Sequence, residues 1–184
     1  MKPTIIGTLS VMMSLGLLVM APGRAHALDP NVAAGELIAL TNLNRTVNGL
    51  HALLIDGDLN GLALSRSQDM IARNYFAHFI PPDNRTVVDV IRAAGIPFRS
   101  VGENIEWNTA PEQASVQFAS NDFMNSPSHR GAIMNPKYNR VGAGLAEGLP
   151  KRMYTVVFVG RPEEAPPAFE PAPEAPPAPA EEGV

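Results

Sequence analysis

Ser100-Val101-Gly102-Glu103-Asn104-Ile105-Glu106-Trp107 is the stretch on which the fold turns. Before it, apolar residues recur at helical spacing; from Phe98 the period becomes two. Val101, Glu103, Ile105 and Trp107 then share one side of a strand, and Ser100, Gly102, Asn104 and Glu106 share the other.

Upstream, Leu37, Leu40, Thr41, Asn44 and Val47 form one helical face that Gly49 closes. Asp56-Gly57-Asp58 is a turn with a capping aspartate. It opens a helix over Leu59–Asn74 with an inner face of Leu59, Leu62, Ala63, Ser67 and Met70. Pro81-Pro82-Asp83-Asn84 interrupts the chain, and a short helix over Val87–Ala94 ends at Gly95 and Pro97. Downstream, Pro111 opens a helix through Met124. Two strands follow, Arg140–Ala146 and Lys151–Val159, joined by a turn at Glu147-Gly148. Met153–Val159 is apolar on both faces, so it requires cover on both. Early helices, a late hairpin and two-sided burial give an α+β layered sandwich.

Composition narrows the function. The 184 residues contain no cysteine, which excludes disulfides, thiolate metal sites and a cysteine nucleophile. A net charge of −4 supplies no basic footprint, so no nucleic-acid partner is expected. Residues 1–27 read as a signal peptide: Lys2, an apolar run from Ile5 to Met20, then Ala25-His26-Ala27 before a cleavage point at Leu28. The mature chain is thus expected outside the cytoplasm, secreted or periplasmic, as a monomer with no integral membrane span. Residues 162–184 carry eight prolines, six glutamates and no lysine or arginine, the composition of a disordered tail. Residues 28–161 form the single domain, with 12 basic and 12 acidic side chains, so the negative excess belongs to the tail.

Within that domain Glu103 stands out. It lies between Val101 and Ile105, on the apolar side, where a carboxylate needs a partner, a cation or a metal-bound water. His129 falls in the first turn of a short helix begun by Ser126 and Pro127, where the helix dipole favours a neutral imidazole. His78 sits among aromatic residues in Tyr75-Phe76-Ala77-His78-Phe79, which fits a core histidine as well as a ligand. Trp107 is read as a core or pocket-wall residue. Gly142-Ala143-Gly144 lacks the third glycine and the following helix of a dinucleotide site; its glycines instead allow a close approach to a strand.

The ordered set of motifs resembles one family. Asn42-Leu43-Asn44-Arg45, Tyr75-Phe76-Ala77-His78, Gly102-Glu103-Asn104-Ile105, Phe123-Met124-Asn125-Ser126-Pro127-Ser128-His129-Arg130 and Val141-Gly142-Ala143-Gly144 occur in the order found in the CAP superfamily of cysteine-rich secretory and pathogenesis-related proteins. The short, cysteine-free bacterial members are the best match. The resemblance implies a three-layer α-β-α sandwich with a cleft holding His78, His129 and Glu103, where some members bind zinc or another divalent ion. A second glutamate belongs three residues after the position of Phe123, where Ser126 stands, and Phe123 itself replaces a tryptophan. Three functional readings follow. One is a secreted binding module for a divalent cation or small apolar ligand, such as a lipid or cell-envelope component. A second is a hydrolase, with Glu103 as base on a metal-bound water or His129 activating Ser126. The third is a structural envelope role.

Overall fold

The computed structural model describes residues 28–148 and 150–162; the expected signal peptide and nearly all of the tail lie outside these. Helix α1 (Pro30–Val47) starts at Asp29, whose side chain accepts from the amides of Asn31 and Val32. It ends before Gly49, whose φ of +78° is the left-handed conformation glycine adopts without strain. A two-residue strand β1 (Leu54–Ile55) leads to Asp56, which caps α2 (Gly57–Ala72) as its position in the turn predicts. Next come α3 (Val87–Ala93), β2 (Ser100–Asn108), α4 (Glu112–Asn125), α5 (Pro127–Ile133), β3 (Arg140–Gly148) and β4 (Lys151–Gly160).

The sheet runs β1-β3-β4-β2, with β1 parallel to β3 and the remaining pairs antiparallel. β2 therefore pairs only through β4 and forms one edge. On one face Leu37, Ile38, Val116 and Phe123 from α1 and α4 cover Val141, Leu145, Tyr154, Val156 and Phe158. On the other face Leu59 and Ala63 of α2 and Val87 and Ile91 of α3 cover Val157 and Val159. This is the expected three-layer α-β-α sandwich. β4 is buried from Met153 to Gly160, as its two-sided apolar pattern requires.

Gly142 and Gly144 set the spacing between α2 and the sheet. A Cβ on Gly142 would lie 2.2 Å from the carbonyl carbon of Leu59, and one on Gly144 would lie 2.1 Å from the Leu64 amide nitrogen. Ser67 uses this closeness to donate to the Gly144 carbonyl at 3.0 Å, while its hydroxyl also meets Thr155 at 2.9 Å.

One local expectation needs correction. β3 continues through Glu147 and Gly148, paired with Arg152 and Lys151, so the turn falls after Gly148. On β2, Asn104, Glu106 and Asn108 are buried beneath the α4–α5 layer, whereas Trp107, on the other side, is 41% exposed.

Candidate functional site

The candidate site residues lie at the edge of the sheet, on both sides of β2. On the α2 side, Glu103 is buried, with 3% of its side chain exposed. Its Oε1 accepts from Arg66 Nε at 3.0 Å, and its Oε2 accepts from His78 Nδ1 at 2.8 Å. A carboxylate cannot donate, so Nδ1 carries the proton in this pair and Nε2 is the nitrogen left for another partner. Half the His78 side chain is exposed, at 51%.

Arg66 assembles this half. It occupies the buried face of α2 between Ala63 and Met70, and only 4% of its side chain is exposed. Besides Glu103 it donates to the Ala77 carbonyl at 2.9 Å and to the Tyr75 hydroxyl, so it fixes the loop that carries His78. The Tyr75 hydroxyl donates in turn to Asp69, which Arg73 also grips. The hydrogen bonds from Arg73 are the main reason the Asp69 carboxyl is held below the usual range. Glu103 is thus a charge neutralised and fixed from behind.

On the α4–α5 side, Asn104 donates to the backbone carbonyl of His129 at 3.0 Å and ties the first turn of α5 to β2. The imidazole packs edge-on against Phe123, with ring centroids 5.3 Å apart. Burial, and next the nearby charge of His78, lowers the His129 pKa, favouring the neutral ring anticipated from its helix position. Electrostatically, the two histidines therefore sense one another across the strand edge.

Ser126 occupies the N-cap position of α5, but its side chain does not cap. Its hydroxyl pairs with that of Ser128 at 3.1 Å, and among the described residues no hydrogen bond joins it to His129. Nor do three or more His, Asp or Glu side chains gather closely enough among these residues to hold a metal by themselves.

Two side chains central to the site were not singled out from the sequence. Arg66 is charged, and an inner-face assignment by hydropathy passes over it. Glu106 falls on the side of β2 opposite Glu103, where the sequence alone does not show what covers it; it lines a shallow, open pocket together with Trp107, Asp122, Ser126 and His129. Burial raises its pKa to about 7; a hydrogen bond from Asn108 opposes the rise and the charge of Asp122 adds to it.

Comparison with known proteins agrees with this architecture. The profile of the CAP "Cysteine-rich secretory protein family" matches residues 38–159. The uncharacterized protein YkwD of Bacillus subtilis (strain 168) is 34% identical over 126 residues, which make up 68% of this chain and 46% of that protein. This chain thus spans less than half of that curated relative. Among solved structures, an extracellular protein containing a SCP domain from Bacillus anthracis superposes with a TM-score of 0.64 at 26% identity, over 72% of this chain and 41% of that one. An outer surface protein from Borrelia burgdorferi superposes with a TM-score of 0.66 at 19% identity, over 75% of this chain and 99% of that one, a likeness of fold. No helix among the described residues is long and apolar enough to cross a membrane.

Proposed function

The chain belongs to the CAP (cysteine-rich secretory protein) family, and from that premise we propose that it is an exported binding domain whose cleft takes a divalent cation on His78 and His129. The observation that carries this reading is the pairing of His78 Nδ1 with Glu103 Oε2, itself held by Arg66. A carboxylate behind an imidazole fixes its tautomer and directs the other ring nitrogen outward, the usual support of a metal-binding histidine. The low proton affinity of His129 favours ligation as well, since a metal competes with protons for the ring.

The donor set limits how firmly a metal is held. Two imidazoles are fewer than the three protein ligands typical of a catalytic zinc site, and both oxygens of Glu103 are already engaged. The residues fit a weak, exchangeable ion that keeps bound water. Glu103 serves as the positioning residue rather than a third ligand. A general base needs a carboxylate free to receive a proton, and Arg66 holds Glu103 as an ion pair. The hydrolase reading has correspondingly less support. Export is supported by the leader-like residues 1–27 and by the extracellular nature of the Bacillus anthracis relative.

Calorimetric titration of zinc into the domain tests the proposal. His78→Ala and His129→Ala should each abolish binding, and Glu103→Gln should weaken it by about 10–100-fold. Zinc affinity unchanged by both histidine substitutions would remove the metal from this cleft.

A further inference from the structure

The cavity on the α4–α5 side of β2 has a chemistry of its own. It is a shallow pocket open to solvent; Glu106 lines it and is only 7% exposed. One carboxyl oxygen, Oε2, accepts from Asn108 at 3.2 Å. The other, Oε1, is buried and has no hydrogen-bond partner among the described residues. Asp122 adds a second carboxylate at the exposed rim, and its charge is felt at Glu106. Trp107 and Phe76 wall the cavity with aromatic surface, 41% and 48% exposed. Among the described residues, no lysine or arginine lines it.

We propose that this cavity binds the primary ammonium group of a cationic amine. A buried carboxyl oxygen without a donor is a costly feature that an arriving N–H group would relieve. Around it the acceptors outnumber the donors: Glu106 and Asp122 accept, and the Ser126 hydroxyl can accept as well. An ammonium group brings three N–H donors and one positive charge to this set. The Lys151 ammonium already lies over the Trp107 ring, 4.6 Å from its centroid, so the Phe76 face is the one left to attract the cation, and both rings can pack against its alkyl stem. An anion would meet two carboxylates, and a neutral apolar ligand would leave Oε1 as it is. Among the described residues no three His, Asp or Glu side chains gather here as a metal-holding group.

This inference goes beyond the divalent-cation reading and does not rest on it: His129 lines this pocket too, but the contacts argued here are those of Glu106, Asp122 and the aromatic walls. A free amine and a lysine side chain on a polypeptide offer the same group, and separate probes distinguish them.

Trp107 is the only tryptophan in the sequence, so its fluorescence reports on the cavity wall directly. The full chain, with a chelator present and at pH 8, is titrated with n-pentylamine, with n-pentanol as its uncharged counterpart, and with Nα-acetyl-lysine amide. Small amines of this size should bind with Kd of about 1–10 mM. Pentanol should bind at least about tenfold more weakly, the value of one charge-assisted hydrogen bond. Glu106→Gln, which keeps the shape, should also weaken pentylamine at least about tenfold, and Asp122→Asn should weaken it less, its carboxylate being exposed. Asp58→Asn, an exposed carboxylate on α2 outside this pocket, should leave amine affinity unchanged and controls for the loss of charge alone. A tighter fit to acetyl-lysine amide than to pentylamine would assign the site to polypeptide lysines, and the reverse order would assign it to free amines. Pentanol binding as well as pentylamine, no titratable response to either amine, or an affinity indifferent to Glu106→Gln would overturn the proposal.

Discussion

Replacing Glu106 with glutamine removes one ionisable group from beneath α4 and leaves nearly the same volume. The native carboxyl titrates at about 7 against an ordinary 4.5. The folded protein therefore holds a proton that the unfolded chain has released, at every pH between those values. A carboxyl with a raised folded pKa favours the fold when protonated, so stability is lost as pH rises from about 4.5 to 7 and is level above. The shift from 4.5 to about 7 is worth about 3 kcal/mol at 1.36 kcal/mol per pKa unit. Relative to the native protein, Glu106→Gln should thus gain about 3 kcal/mol between pH 4.5 and pH 8.5. Urea unfolding followed by far-UV circular dichroism at both pH values measures this. Any cost of seating the amide appears at both and cancels, as do the titrations of other groups. A difference between the two proteins that does not change with pH would refute the assignment of a buried, desolvated carboxyl to this position.

Arg66→Met keeps much of the side-chain volume but strands the Glu103 carboxylate and frees the His78 loop; urea unfolding should show a loss of about 3–5 kcal/mol, and an unchanged midpoint would mean Glu103 does not depend on Arg66. Gly144→Ala drives a methyl group into the α2 backbone at Leu64 and should cost at least about 1–3 kcal/mol, read as a fall in thermal midpoint. His129 should titrate by NMR below the usual 6.5, so the fold loses stability from this group as pH falls through 6.5 toward the folded value. In His78→Ala the His129 midpoint should move up, because one of the charges opposing its protonation is gone; an unchanged midpoint would mean the two rings do not share a field.

Much of the fold is legible because its punctuation is local. Asp56, Gly49 and Pro111 mark helix ends by side-chain caps and backbone conformations that operate within a few residues. β1 escaped notice because two residues set no period, and the start of α1 because Asp29 and Pro30 stand so close to the expected cleavage point. The larger difference concerns β2. Alternation of polar and apolar residues separates the two sides of the strand but does not say which layer covers each. There Asn104 and Asn108 are buried because each finds a backbone partner, Asn104 the carbonyl of His129 and Asn108 that of Ser115. The site divides in the same way. Glu103 is legible as a carboxylate needing a partner, but the partner, Arg66, lies 37 residues away and is placed by packing. His78 and His129 are each legible as candidates from their local sequence, but only family resemblance groups them with Glu103.

The two halves of the cleft belong to different layers, with β2 as the seam between them. One half is riveted to α2 through Arg66; the other hangs from α5 through Asn104. Anything that touches both His78 and His129 is therefore a cross-brace between layers held together chiefly by the sheet. A bridging ligand would stiffen the whole sandwich against shear, whereas one seated on a single side would brace only its own layer. Hydrogen exchange in α3 and α5, short helices flanking the seam on opposite faces, would then slow together under the first kind of ligand and separately under the second.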